Sequence, residues 1–538
     1  MMVERRIAWP RNLVALSIVF SLFFIGQILV ILQPQYDGDT GEFVLSMDND
    51  NENNKKARGL PETESHDDSE IVQGQSGKEK ELSKPSGPAD GSFNKFPVYY
   101  QDFKEGFHSN AHCIGENFGA DAWKFRSCHF QNLCFDTEDK KFVLFTSPEQ
   151  RQLEEALSHA DMNHFWPASS MNTTVSVGGM NPKWNKEHKL LEWYPTLRHV
   201  EDLKSQGGYY MLQTDKVLIP WHSLAGFNPG HLVWDDFLPL YTLLSAFDLV
   251  EKDLVLIRYD LTLAMWASCQ RKWDRCRPIL KKFLPLLGTQ VDMTSTQNDT
   301  ALEITTKEKK SKYVCAPNGA AGLGMLTDHG TKLHGWVKKD YEYSQNIGRG
   351  GPMYQFRNWM VDHLISENRK EKKISNPPYR IIISNASSQR PGRVINFHKH
   401  ADLLKKRLGS KYDLDIREVQ LAKLSMVEQV ELASEASVFI TMCGGGAVTA
   451  MFLPKGASLL VYFNVAPDKA YKYSDTPARL DWDLLNNIGY LRVHWLPRPK
   501  SKFLQNGEPE EGQSSADLDA LVKLVDHELD LISHANDN

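Results

Sequence analysis

The stretch that most limits the fold is residues 437–463, SVFITMCGGGAVTAMFLPKGASLLVYF. Val438, Phe439, Ile440 and Thr441 form a short β-branched and aromatic run, the composition of a strand buried on both faces. Gly444, Gly445 and Gly446 follow, then an apolar segment over 447–453 that reads as a helix stopped by Pro454 and Gly456. Residues 458–463 read as the next strand. Strand, glycine turn, helix, strand is the repeating unit of a doubly wound sheet. Glycines at a strand's C-terminal end let backbone approach a ligand, and a helix N-terminus aims N–H groups at an anion. The turn therefore reads either as a seat for the diphosphate of a nucleotide or nucleotide sugar, or as a tight connection that needs small residues for packing.

The alternation extends upstream. Residues 379–384 read as a strand, 394–408 as a helix, 412–419 as a strand, and 426–436 as a helix with Val427, Val430 and Ala433 on one face. Such alternation implies an α/β domain whose parallel sheet is covered on both faces. The charged segment 367–378, ending in Pro377-Pro378, is the clearest linker. It divides an N-terminal domain, 96–370, from a C-terminal domain, 371–538, that ends in an amphipathic helix over 516–532. In the first domain 141–146 and 253–259 read as strands, 237–247 as a buried helix, 354–365 as a helix and the Lys-rich 294–312 as an exposed loop.

Residues 13–32 are apolar or small apart from Gln27, and about 20 such residues suffice to cross a bilayer as a helix. Arg5, Arg6 and Arg11 precede the span and Asp37, Asp39 and Glu42 follow it. That charge bias makes 1–12 a cytosolic tail and 13–32 a signal anchor, with the rest across the membrane. A cleaved signal peptide is the competing reading, but Gln33-Pro34-Gln35-Tyr36 offers no small-residue cleavage site. Residues 33–95 are too polar to offset their ordering entropy and read as a disordered stem. The layout is that of a Golgi-type membrane enzyme, single-pass and type II with its large part in the lumen; many type II receptors share it, so it sets compartment more firmly than function.

A luminal chain fits the sequons at Asn172, Asn298 and Asn385 and the seven cysteines. Cys113, Cys128 and Cys134 cluster, as do Cys269 and Cys276, which points to local disulfides; Cys443 in the glycine turn is expected outside any disulfide. No cysteine pair has zinc-site spacing, so no structural metal is expected. The formal charge of −6 does not suggest nucleic acid as the main partner.

Three patches carry candidate chemistry. In 228–241, NPGHLVWDDFLPLY, His231 and Asp235 stand four apart, on one face of a helix. They could take a hydroxyl proton, Asp235 as base and His231 orienting, or could be a helix-start acid and a satisfied histidine. Residues 326–357 supply His329, His334, Asp340, Arg349 and Arg357 around a Gly348-Arg349-Gly350-Gly351 turn, suited to anion or sugar contacts or simply to an exposed loop. Arg390 and Arg393 precede a helix at the end of the first strand of the C-terminal domain, placed to pair with phosphates. Both they and the three glycines fall at C-terminal strand ends of one sheet, the edge where such sheets bind ligands. Neither Asp413-Leu414-Asp415 nor Asp481-Trp482-Asp483 sits as a metal-holding Asp-x-Asp after a hydrophobic strand.

Taken together these motifs resemble glycosyltransferase family 61. Asn228, His231, Asp235, Pro239 and Leu240 suit one family pattern, and Cys315 with Phe356-Arg357 downstream suits a second. Arg390, Arg393 and Asn396 resemble a third; Gly444, Thr449, Phe452, Leu453, Pro454, Gly456 and Ala457 resemble a fourth. Cys443 stands where the family usually has histidine, and Tyr462-Phe463-Asn464 where a glutamate commonly ends the strand, so the chain reads as a divergent member. The resemblance implies a GT-B-like fold of two Rossmann-like domains facing a cleft, and an inverting, metal-independent transferase. It implies no cofactor beyond a nucleotide-sugar co-substrate, UDP-linked and carrying xylose or N-acetylglucosamine, and a glycan or glycoprotein acceptor. Asp235 and His231 would be catalytic, and Arg390, Arg393, Gly444, Gly445, Gly446 and Thr449 would bind the donor. His334, Arg349 and Arg357 would make further substrate contacts. The alternative is a luminal glycan-binding or partner-binding protein of the same fold without catalysis, which the Cys443 departure permits.

Overall fold

In the computed structural model the described residues are 98–116, 122–147, 149, 173–180, 189–223, 226–258, 273–288, 292–295, 310–322, 348–365, 374–384, 398–465, 484–499 and 515–535. The expected tail, span and stem (1–95), the three sequons, His334, Arg390 and Arg393 lie outside them. Among the described residues no helix is long and apolar enough to cross a membrane.

The C-terminal half follows the alternation. With strands numbered along the chain, β13 (Tyr379–Ser384), β14 (Leu414–Val419), β15 (Val438–Met442), β16 (Ser458–Val465) and β17 (Arg492–Pro499) form one sheet in the order β14-β13-β15-β16-β17. Every pair in it is parallel. Successive side chains of a strand leave opposite faces. Ile381, Ile383, Val438, Ile440 and Leu460 pack under the helices His398–Leu408 and Ser515–His534. Ile382, Phe439, Leu459 and Val461 pack instead against the helix Met426–Ser434 and the 3-10 helix Gly445–Phe452. Both faces are covered, which is why these strands read as unbroken apolar runs; each such buried side chain stabilises the fold by about 1.5–3 kcal/mol.

One expected face is displaced. Met426, Gln429, Val430 and Ala433 are the buried residues of the helix Met426–Ser434, whereas Val427 is 39% exposed. A helix turns about 100° per residue, and the capping box between Ser425 and Glu428 starts this one so that Met426 faces the sheet.

The N-terminal half departs further from expectation. Its ten strands are β1 (Val98–Asp102), β2 (Asn110–Gly115), β3 (Arg126–Asp136), β4 (Lys141–Thr146), β7 (Thr196–His199), β8 (Gly208–Leu212), β9 (Lys216–Trp221), β10 (Asp253–Arg258), β11 (Asp292–Ser295) and β12 (Tyr313–Gly322). A separate hairpin pairs β5 (Val175–Met180) with β6 (Lys189–Trp193). The large sheet is mixed: β9, β10 and β11 are parallel, but β3 runs antiparallel to β2, β4 and β12. A Rossmann-like first domain is therefore corrected to a mixed sheet, because β3 and β4 are joined by a tight turn through Lys140 at φ 56°, not by a helical crossover.

Two disulfides join directly opposed residues of these antiparallel ladders: Cys113–Cys128 across β2 and β3, and Cys134–Cys315 across β3 and β12. The first is local, as expected. The second spans 181 residues, since sheet order brings β12 beside β3. Cys276 is also disulfide-bonded, and buried Cys443 forms no disulfide.

A single hydrophobic cluster connects the two sheets. It runs from Val217, Ile219, Leu254 and Leu256 of the first sheet, through the helices Leu238–Ala246 and Gly350–Asp362, to Ile382 and Phe439 of the second. The terminal helix is secured by one buried carboxylate. Glu528 accepts hydrogen bonds from Ser458, from Arg492 Nε (2.6 Å) and from His494 Nε2 (3.0 Å). Burial by itself would raise its pKa, but the bonds from His494, Ser458 and Arg492 and the Arg492 charge hold it at about 2.

A depressed carboxylate contributes stability above its unfolded pKa and loses it as pH falls through the folded value. Glu528 should therefore contribute about 3 kcal/mol at pH 7, lost between roughly pH 4.5 and 2. Urea unfolding at pH 7 should show Glu528→Gln weaker by about that amount. A deficit that does not shrink toward pH 2 would refute the linkage.

Candidate functional site

The site grows from a turn after β9. Asn228 Oδ1 accepts from Gly230 N–H at 3.1 Å, and Pro229 occupies the first helical position, so the segment Pro229–His231 starts as a capped helix. It continues as a π-helical turn, Leu232–Phe237, whose six residues are all buried, before the regular helix Leu238–Ala246. π-turns are uncommon and often accompany functional sites. The turn sets His231 Nδ1 2.5 Å from Asp235 Oδ2. The neighbouring Asp236 is separately engaged, accepting from Ser223 Oγ at 2.5 Å inside the core.

Burial separates the partners. The Asp235 side chain is 1% exposed, while that of His231 is 25% exposed. Sequence spacing makes Asp235 the expected base, yet its carboxylate faces inward onto the imidazole. Of the pair, only His231 presents side-chain surface to solvent. With Nδ1–H donating to Asp235, the neutral ring carries its lone pair on Nε2.

The glycine turn meets the segment that leads into this dyad. Gly444 has φ 131°, outside the range of ordinary side chains, and Cys443 N–H donates to Tyr462 C=O at 2.8 Å. A Cβ on Gly445 would stand 3.1 Å from Asn228 Oδ1 and 3.9 Å from Gly230 N. The C-terminal edge of β15 thus faces the residues just before His231, so Gly445 lies beside the start of the segment that carries the dyad. Asn228 cannot withdraw without releasing Gly230 N–H. Gly445→Ala should therefore cost about 1–3 kcal/mol through overpacking. Chemical denaturation would register it, and an unchanged midpoint would show that the two turns are loosely apposed.

The other expected contacts lie elsewhere. Thr449, 1% exposed, donates to Gln429 Oε1 at 2.9 Å, and Gln429 Nε2 donates to Leu421 and Leu424 carbonyls. Thr449, expected as a donor contact, is held by this bond beneath the 3-10 helix. Arg357 is also buried and donates through Nη2 to Phe452 C=O at 2.9 Å, holding the end of that helix. Burial lowers its pKa. Tyr490 O–H supports the same helix through Met451 C=O at 2.7 Å, its pKa raised by burial. Arg349 is half-buried at the start of the helix Gly350–Asp362. Among the described residues no group of His, Cys, Asp or Glu could hold a metal ion.

Gln429 and Tyr490 carry no role in the sequence motifs, and Asn228 only its place in one of them. A usable signal exists for two of the three. Asparagine before Pro-Gly is a helix cap, and a glutamine between Met426 and Val430 on an apolar face needs buried partners.

Residues 342–460 match the family model of glycosyltransferase 61. The matched stretch holds the glycine turn, with His231 and Asp235 upstream of it. Among curated proteins, the protein O-linked-mannose beta-1,4-N-acetylglucosaminyltransferase 2 of Xenopus tropicalis is 21% identical over 352 residues, 63% of this chain and 50% of that protein. The protein of the same name from Mus musculus is 21% identical over 392 residues, 71% and 58% respectively. The chain thus spans about half the length of the curated relatives it matches. Among solved structures, an E. coli ADP-heptose lps heptosyltransferase II aligns with 58% of this chain and 98% of its own, at TM-score 0.26 and 10% identity.

Proposed function

We propose that this protein is an inverting glycosyltransferase, moving a sugar from a UDP-linked donor to a hydroxyl of a glycan or glycoprotein. The observation that carries the proposal is the His231–Asp235 dyad on a segment whose first residues, Asn228–Gly230, lie against the glycine turn of the stretch that matches glycosyltransferase 61. His231 Nε2 takes the proton of the acceptor hydroxyl, and the oxygen attacks the anomeric carbon as the bond to the diphosphate breaks. Asp235 holds the ring and stabilises the imidazolium. Backbone N–H groups of Gly444, Gly445 and Gly446, with Arg390 and Arg393, meet the charge on the leaving diphosphate. N-acetylglucosamine is favoured over xylose by the names of the relatives.

The arrangement is proposed as GT-B-like, with the mixed first sheet on the acceptor side. The reading includes a type II Golgi anchor over residues 13–32, supported by the apolar run and its flanking charges.

Thermal unfolding of the full chain with UDP, GDP, CMP and their sugar conjugates, in EDTA, tests the donor site. A ligand that binds the folded state at about 100 times its Kd adds about 2.7 kcal/mol, so one nucleotide class should raise the transition by a few degrees. A transition unmoved by every nucleotide would overturn the transferase reading in favour of glycan or partner binding alone.

A further inference from the structure

Away from the dyad, three adjacent strands place side chains of one chemical kind on one face. Asn110 of β2 lies opposite Gln131 of β3, and Gln131 opposite Asn318 of β12; one step along, His112 lies opposite His129. Residues two apart on a strand share a face, so these five form a grid of about 4.8 Å across strands and about 7 Å along them. Its members are held in place. Asn110 Nδ2 donates to Gln131 Oε1 at 3.1 Å and approaches His108 Nε2 at 3.4 Å, while His129 Nε2 lies 3.2 Å from Asn318 Oδ1.

Phe247, just beyond the helix Leu238–Ala246, closes the face. Its ring centroid lies 5.8 Å from that of His129 and 6.2 Å from that of His112. Asn110, His112 and Gln131 are exposed, and His129, Asn318 and Phe247 are half-buried.

The chemistry of the grid is selective. Its six side chains are carboxamides, imidazoles and a phenyl ring, with no carboxylate to hold a cation and no lysine or arginine to hold a phosphate. Once the internal bonds are made, the Gln131 and Asn318 amide nitrogens and the Asn110 carbonyl oxygen have no protein partner among the described residues. Planar groups that offer both donors and acceptors suit paired hydroxyls, and an aromatic ring suits the C–H face of a sugar. The grid spacing matches a single pyranose.

We propose that this face is a binding subsite for a neutral saccharide, at the far end of the helix Leu238–Ala246 from His231. It would hold a glycan chain at a second point, whatever reaction occurs at the dyad. The inference does not depend on transfer activity.

The full chain, in EDTA, would be titrated by saturation-transfer NMR with mannobiose, N,N′-diacetylchitobiose, lactose and xylobiose, each free and attached to a peptide. At least one series should bind, and comparison of the free and attached forms tells whether the peptide contributes. Asn110→Ala/Gln131→Ala and, separately, Phe247→Ala should each weaken binding at least tenfold, with the thermal response to UDP unchanged. Asn110 and Gln131 are exposed, so their variant tests the site even if Phe247→Ala loosens packing. The proposal is overturned if no saccharide binds, or if binding survives in the double variant. It is equally overturned if zinc titration shows His112 and His129 holding a metal, or if ultracentrifugation shows the double variant abolishing self-association of the chain. A positive UDP shift with no saccharide binding would refute this inference and leave the transferase reading standing.

Discussion

His231→Ala is expected to lower sugar transfer by about 10²–10⁴-fold, the usual contribution of a positioned general base, while UDP binding stays within a factor of two or three. The split follows from the geometry. His231 belongs to the face that an acceptor would meet, with a quarter of its side chain exposed, whereas the glycine turn belongs to the other sheet. Asp235→Asn should also be severe. An asparagine amide can present N–H to Nδ1 and favour the wrong tautomer, so the loss should approach that of His231→Ala. The two losses should not add, because both variants disable one unit. Single-turnover kinetics with a saturating donor would check this. Transfer retained by His231→Ala together with loss in Asp235→Asn would return the base to Asp235.

The largest effect on stability is expected at Cys134–Cys315. In the chain-entropy account, a cross-link closing a loop of this length stabilises by about 5 kcal/mol, against about 3 kcal/mol for a 15-residue loop. Cys113–Cys128 supplies that short-loop comparison within the same sheet. Replacing each pair with alanines should thus give losses that differ by about 2 kcal/mol, the long-range pair being the more damaging. Cys128, Cys134 and Cys315 are each 0% exposed and Cys113 is half-buried, so packing losses should be of similar size in both variants. Denaturant unfolding would measure the difference. Equal losses would mean that local packing, and not loop closure, dominates both.

Much of the second sheet is legible in the order of its residues. Residues 379–384 and 458–463 could hardly be anything but buried strands, since no exposed element tolerates such runs. Glycines between strand and helix set the direction of the chain there. The helix Met426–Ser434 is legible in place but not in phase, because Val427, Val430 and Ala433 form as good an apolar stripe as the one that Ser425 and Glu428 select. The first sheet is less legible. Period-2 patterns identify strands but not their partners, and mixed sheets take pairings from across hundreds of residues.

At the candidate site, spacing puts His231 and Asp235 on one helical face, but does not say which of them is buried. Arg357 and Thr449 carry substrate-contact chemistry by type and position, yet both point inward to hold the 3-10 helix.

The amino-acid sequence determined by itself what depends on neighbours along the chain: the strand runs, the glycine turn, the cap at Asn228 and the acid four residues from a histidine. Only the tertiary structure decided what depends on distant residues. It put β12 beside β3 and so joined Cys134 to Cys315. It laid Asn228 against Gly445, and it drew Glu528 into the bonds from Ser458, Arg492 and His494. The physical reason is that backbone preference and hydrophobic period act over a few residues. Burial and electrostatic pairing are settled only once separate elements share a core, as they do here between the two sheets.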